Sequence, residues 1–134
     1  MKLVTFDAGR VGRLEGEGDD AVVVELECAS TREWFQRGGR AGETGERFPL
    51  AQVRLRAPIV PKKFFHTAGN FADHHEELQA VDWSHPVHKG IVFFQNVDAI
   101  IGPDDAIVYP EGLTRELDYE LELGIVIGRS GKFF

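Results

Sequence analysis

Apolar residues in this chain come in runs of no more than four, and Ala21–Val24, Ile91–Phe94 and Ile125–Ile127 are each closed by a glycine or a polar side chain. A run of that length fills one short strand and falls far below the roughly 20 residues of a membrane span. The fold must therefore be assembled from many short elements, and the 15 Gly and 6 Pro spread along 134 residues supply the turns between them. The length suffices for a real core but excludes two large domains.

The first third reads as a β-meander, with Lys2–Phe6, Val11–Leu14 and Ala21–Leu26 as strands turned at Gly9 and at Gly16–Asp20. Ser30 with Glu33 three positions on forms a capping-box pattern, so a short helix is predicted over Thr31–Gln36, stopped by Gly38 and Gly39. Four glycines and mixed charge make Arg37–Arg47 a surface loop, and Phe48–Arg56 is strand-like. Pro58 and Pro61 then punctuate the chain, dividing a small N-terminal β-rich module, residues 1–57, from a second unit, 58–134.

In the second unit Asn70 caps a helix over Phe71–Ala80, followed by a polar, His-rich loop over Trp83–Gly90 and a strand over Ile91–Phe94. Gly102–Asp105 reads as a turn, Ala106–Tyr109 as a short strand and Leu117–Ile127 as a strand entering a buried sheet. Phe133 and Phe134 look like the opening of a returning strand, so the chain is expected to be part of a longer protein. The fold class is α+β, rich in β.

Charge limits the partners. Asp plus Glu outnumber Lys plus Arg by 22 to 15, a net charge of −7, so no basic footprint exists for nucleic acid or an anionic membrane. Cys28 is the sole cysteine, which excludes an intramolecular disulfide; it reads as a core residue. The N-terminus lacks the charged-then-apolar pattern of a secretory signal. The expected compartment is the cytoplasm.

Two constellations carry chemistry. In LDYELEL, Asp118, Glu120 and Glu122 share one face if the segment is a strand, while Tyr119, Leu121 and Leu123 point the other way. That face is either a solvated edge or, because the strand runs into GIVIG, a buried carboxylate set suited to a hard divalent cation such as Mg²⁺ or Mn²⁺. In GNFADHHEE, the predicted helix puts Phe71, His74, His75 and Leu78 on one side, with Glu77 three residues after His74. A carboxylate one turn from an imidazole fixes its tautomer and raises its basicity, as a general base requires; a surface His-Glu pair is the alternative. His66, His85 and His88 lack a zinc-like ligand plan and read as exposed loop histidines.

From about Pro58 onward the chain resembles the fumarylacetoacetate hydrolase family. The resemblance rests on Gly69, Asn70, Phe71, His74 and Glu77, on FFQN and IIGPDDAIVYP over Phe93–Pro110, and on LDYELELGIVIGRSGK over Leu117–Lys132. It implies that residues 58–134 begin a fumarylacetoacetase-type mixed β-sandwich or roll catalytic domain. It implies Glu120 and Glu122 as ligands of Mg²⁺ or Mn²⁺, with Asp118 behind them and a third acidic ligand outside this sequence. His74 and Glu77 become a water-activating pair, and Asn70, Phe71 and Gln95 substrate-facing residues. Many members carry Arg, Tyr and Lys where this chain has Gly69, Phe71 and Gln95, which blurs the substrate.

The implied activity is hydrolysis of a carbon-carbon bond in a 1,3-diketo acid such as an acylpyruvate, by a homodimer. Decarboxylation of a 2-oxo acid, or isomerisation or hydration in aromatic catabolism, would use the same metal site. A non-catalytic binding or assembly module is the alternative of another class. Exposure of Glu120 and Glu122 to bulk solvent, or their capture by arginines, would count against an ion between them.

Overall fold

The computed structural model describes residues 1–80 and 91–132. It resolves into two compact units, Met1–Ile59 together with Ile101–Phe134, and Val60–Ile100.

The first unit is built on a five-stranded antiparallel sheet. Its strands are β1 (Lys2–Phe6), β2 (Arg10–Glu15), β3 (Val22–Leu26), β4 (Glu43–Pro49) and β5 (Leu55–Arg56), in the spatial order β4-β3-β2-β1-β5. Strands β1, β2 and β3 pair in turn across short links, and β4 joins β3 after the longer connection that carries a helix. Between β1 and β2 the Gly9 N–H reaches the Phe6 carbonyl at 2.9 Å, with Asp7 and Gly9 both at positive φ, 47° and 99°. Along β1 to β3 the buried side chains fall on both faces of the sheet, Val11 and Val24 on one and Phe6 and Val23 packed together as a core on the other, with Ala21 and Leu26 also buried. Gly12 faces that core: a Cβ there would lie 2.3 Å from Val23 Cγ1 and 3.1 Å from the Val24 carbonyl oxygen, so only glycine lets β2 and β3 approach this closely.

Helix α1 (Thr31–Gln36) starts where the capping-box pattern places it. The Ser30 hydroxyl accepts the Glu33 N–H at 3.1 Å, and the Glu33 carboxylate reaches back to the Ala29 N–H at 2.6 Å. Gly38 and Gly39, both left-handed, end it, and the Gly39 N–H bonds the Trp34 carbonyl. Thr31 is buried and shares a 2.8 Å hydrogen bond with the Thr5 hydroxyl, tying the helix to β1.

Charged side chains lace the sheet. Arg10 lies 4.4 Å from the centre of the Phe48 ring and 5.0 Å from that of Phe6, while its Nε and Nη2 each donate to Glu25 at 2.6 Å. Arg13 joins Glu15 and Glu43, and Arg47 meets Glu15 at 2.7 Å.

The second unit contains the antiparallel pair β6 (Phe64–Ala68) and β7 (Ile91–Gln95), with helix α2 (Ala72–Ala80) between them in sequence. With seven strands against two short α-helices among the described residues, the chain is α+β and β-rich, as the sequence implies.

Several local expectations are corrected. The segment read as a loop over Arg37–Arg47 already enters β4 at Glu43, where its backbone pairs with β3 despite its glycine. The strand-like stretch after Phe48 is broken by a 3-10 turn at Leu50–Gln52, leaving only Leu55 and Arg56 to pair with β1. Strand β6 was not foreseen. Ala106–Tyr109 and Leu117–Ile127 are in no strand, since no described residue forms a ladder with them. Cys28 is half-buried rather than a core residue.

Candidate functional site

The chain reaches the first group of candidate residues through β6. Gly69, at φ 66°, turns the backbone away from the strand, Asn70 and Phe71 follow, and α2 begins at Ala72, one residue after the expected start. Asn70 and Phe71 are exposed. His74 and Glu77 lie on the α2 backbone, three residues apart, as the sequence predicts. Their side chains are outside the described residues, as are Trp83–Gly90 with His85 and His88, and Phe133 and Phe134.

Gln95 closes β7 opposite Phe64 and is exposed. His66, expected in a loop, instead sits on β6, half-buried between two rings. Its ring centre lies 4.7 Å from Phe64, edge to face, and 5.5 Å from Phe93. Burial alternates along β6, but FFHTA itself does not alternate in hydropathy, so no period-2 signal marks it in the sequence.

The second group, Asp118, Glu120 and Glu122, belongs to the other unit. All three are exposed, and so are their neighbours, with Tyr119 at 90% and Leu121 at 100% of full accessibility. The buried environment expected for this run is therefore not observed in this chain, and exposure was the outcome set against an ion site. Capture by arginine is not observed either. Asp118 accepts its neighbour Tyr119 N–H at 2.8 Å, whereas Glu120 and Glu122 make no ion pair or hydrogen bond with any described residue.

As donors, two unengaged carboxylates fit a hard cation. Among the described residues, however, no three His, Cys, Asp or Glu side chains gather to hold a metal. Glu120 and Glu122 alone fall short of such a group.

The sequence reading passed over what anchors this run. Asp105 closes the Gly102–Asp105 turn by accepting the Gly102 N–H at 2.8 Å and pairs with Arg54 at 2.5 Å. The Gly102 N–H, and next the Arg54 guanidinium, hold the Asp105 carboxyl below the usual carboxylate range. Arg54 is in turn locked to β1: its N–H donates to the Asp7 carboxylate at 2.9 Å and its carbonyl accepts the Asp7 N–H at 2.8 Å. Gly102 packs against β5, where an added Cβ would lie 3.2 Å from the Leu55 carbonyl oxygen and 3.3 Å from Arg56 Cα. A second closed turn follows, in which the Leu113 N–H meets the Pro110 carbonyl and the Tyr109 hydroxyl meets the Thr114 carbonyl, each at 2.8 Å. Pairings between residues so far apart in sequence leave no periodic trace.

Comparison with known proteins places residues 63–133, more than half of the chain, on the family model described as Fumarylacetoacetate (FAA) hydrolase C-terminal. The bovine mitochondrial oxaloacetate tautomerase FAHD2A is 38% identical over 87 residues, covering 63% of this chain and 26% of that protein. The Dictyostelium discoideum protein named fumarylacetoacetate hydrolase domain-containing protein 2 homolog is 36% identical over 86 residues, covering 64% and 27%. A crystal structure titled 5-carboxymethyl-2-hydroxymuconate delta-isomerase, from Mycobacterium smegmatis, superposes with a TM-score of 0.57 at 33% identity, covering 80% of this chain and 37% of that one. The chain spans about a quarter to a third of the length of the curated relatives it matches. Among its described residues no helix is long and apolar enough to cross a membrane.

Proposed function

Since the chain belongs to the fumarylacetoacetate hydrolase family, we propose that it forms part of an enzyme acting on 2-oxo acids through their enol or enolate forms. The observation that carries this reading is the coincidence of the family match with the carboxylates of Glu120 and Glu122, unpaired among the described residues in the matched segment. In this proposal those two residues hold Mg²⁺ or Mn²⁺, with Asp118 supporting them and a further ligand completing the set. The cation would supply Lewis-acid stabilisation of charge developing on the 2-oxo oxygen.

The chain's own residues divide the remaining work. His74, oriented by Glu77, takes the proton, while Asn70, Phe71 and Gln95 face the substrate. Taken from water, that proton leaves hydroxide to attack the distal carbonyl of an acylpyruvate; the carbon-carbon bond then breaks with its electron pair leaving as the pyruvate enolate, which takes the proton back from His74 at carbon. Taken from the carbon beside the keto group, it leads to tautomerisation or isomerisation. The bovine relative, an oxaloacetate tautomerase, and the M. smegmatis isomerase favour proton transfer at carbon, and the name of the family favours hydrolysis. A cytoplasmic homodimer belongs to the same proposal.

A substrate panel on the intact protein separates the readings. Metal-dependent turnover of an acylpyruvate, lost in Glu120→Gln and in His74→Asn, identifies a hydrolase. Metal-dependent acceleration of oxaloacetate enol-keto exchange without cleavage identifies a tautomerase, and carbon dioxide release above the spontaneous rate a decarboxylase. Full turnover in Glu120→Gln would refute the role of that residue. No turnover of any of these, with no calorimetric heat for Mn²⁺, would leave a binding module.

A further inference from the structure

The two faces of the β6–β7 pair differ in chemistry. The register sets Phe64 opposite Gln95, His66 opposite Phe93 and Ala68 opposite Ile91, so these six side chains share one face, while Phe65, Thr67, Val92 and Phe94 share the other. The second face is exposed on β6, and its Phe65 and Phe94 rings lie 4.5 Å apart. The first is half-buried on β6 and holds both His66 and Gln95. None of the paired residues is acidic.

His66 is held in place. Phe64 meets its ring edge to face at 4.7 Å and Phe93 lies against it at 5.5 Å, yet neither the imidazole nitrogens nor the Gln95 carboxamide has a hydrogen bond with any described residue. An imidazole donates one N–H when neutral and two when protonated, and a carboxamide donates two. As diagonal neighbours across an antiparallel pair, about 7–8 Å apart, the two side chains can reach a common group. A face with these donors, two aromatic rings and no carboxylate suits an anion, because a hydrogen bond to an ionised acceptor is roughly twice as strong as a neutral one and gains further where apolar walls displace water.

We infer that His66 contacts the substrate and, together with Gln95, holds a second acidic group on it, so that the enzyme prefers 2-oxo acids bearing another carboxylate at the end remote from the keto acid. The inference rests on the assignment of Gln95 as substrate-facing under Proposed function, and it is independent of which residues hold the cation.

The test compares oxaloacetate with its 4-ethyl ester, which keeps the 2-oxo acid and loses the second charge. Dissociation constants for both come from NMR titration of the intact protein in Mg²⁺, and the His66 imidazole signal, identified by its loss in His66→Phe, should move with the diacid and far less with the ester. The preference for diacid over ester should fall about tenfold or more in His66→Phe, which keeps a ring between Phe64 and Phe93. His66→Gln, which retains an N–H donor, should lie between that variant and the parent, and Thr67→Val, on the opposite face, should keep the parent's preference.

An unchanged preference in His66→Phe, or equal weakening of both ligands, would overturn the inference and leave His66 a packing residue. If that result accompanies a loss of diacid binding in Gln95→Leu, the substrate-facing assignment of Gln95 stands and His66 alone is discarded. If the parent binds neither ligand and turns over no 2-oxo acid, the proposed function fails and this inference with it.

Discussion

Gly12→Ala offers the most direct test of how the sheet is packed. A methyl at residue 12 would come within 2.3 Å of Val23 Cγ1, whereas carbon atoms in favourable contact sit about 3.5–4.0 Å apart. More than about 1 Å must be recovered from a neighbourhood with little slack. Val23 is wholly buried, the Val24 carbonyl oxygen blocks a second direction at 3.1 Å, and Phe6 Cε1 a third at 3.3 Å. The backbone at Gly12 is not left-handed, so alanine brings no torsional strain and even gains the roughly 0.5–1 kcal/mol by which it is preferred over glycine within a strand. Overpacking costs about 1–3 kcal/mol, and with so little room the upper half of that range should prevail, for a net loss of about 2 kcal/mol.

Urea melts followed by Trp34 fluorescence measure this loss, with Gly112→Ala as control, since a Cβ there meets nothing within 4 Å. Val23→Ala should cost about 2–3 kcal/mol alone. In combination with Gly12→Ala, the new methyl occupies the space the valine vacates, and the pair should cost at least about 1 kcal/mol less than the sum. A Gly12→Ala protein within about 0.5 kcal/mol of the parent, or strictly additive costs, would refute the packing argument.

Ser30→Ala should remove about 1 kcal/mol by leaving the Glu33 N–H uncapped, seen as faster amide exchange across Thr31–Gln36. The Asp105 carboxyl titrates below its ordinary range in the folded chain, so the stability it confers is present above the ordinary carboxylate pKa and is lost as pH falls through the lowered folded value. NMR titration of that carboxyl, together with the loss of this acid dependence in Asp105→Asn, checks the sign. Arg10→Lys keeps the charge but cannot span Glu25 with two parallel bonds while lying flat over Phe48 and Phe6, so its urea midpoint should fall below that of the parent, and that of Arg10→Ala further.

Local grammar accounts for what was legible. Strands β1 to β3 announce themselves by short apolar alternation between glycine turns, and α1 by a serine and a glutamate three residues apart, because both signals are written within a few residues of the structure they specify. The same grammar found the start of β7 and the end of α2. It failed where pairing is decided at a distance. The 117–127 run alternates as a strand should, yet a strand exists only beside a partner, and none of the described residues takes that place. Arg54 with Asp105 escaped notice for the same reason, since 51 residues separate them. Of the candidate site, the helix that carries His74 and Glu77 was legible, while burial around Glu120 and Glu122 was inferred from apolar neighbours that are themselves exposed.

The spatial order β4-β3-β2-β1 is the reverse of the order of synthesis, each strand lying beside the one made just before it. Apart from the later β1–β5 pair, these pairings join neighbours in sequence, and domains generally fold as units from the N-terminus while the ribosome is still translating. Phe6, Val11, Val23 and Val24 are thus all in hand by the time Pro49 ends β4. When Asp105 leaves the exit tunnel, Arg54 already waits on a finished surface, and the later segment is threaded onto it like a ribbon onto a peg.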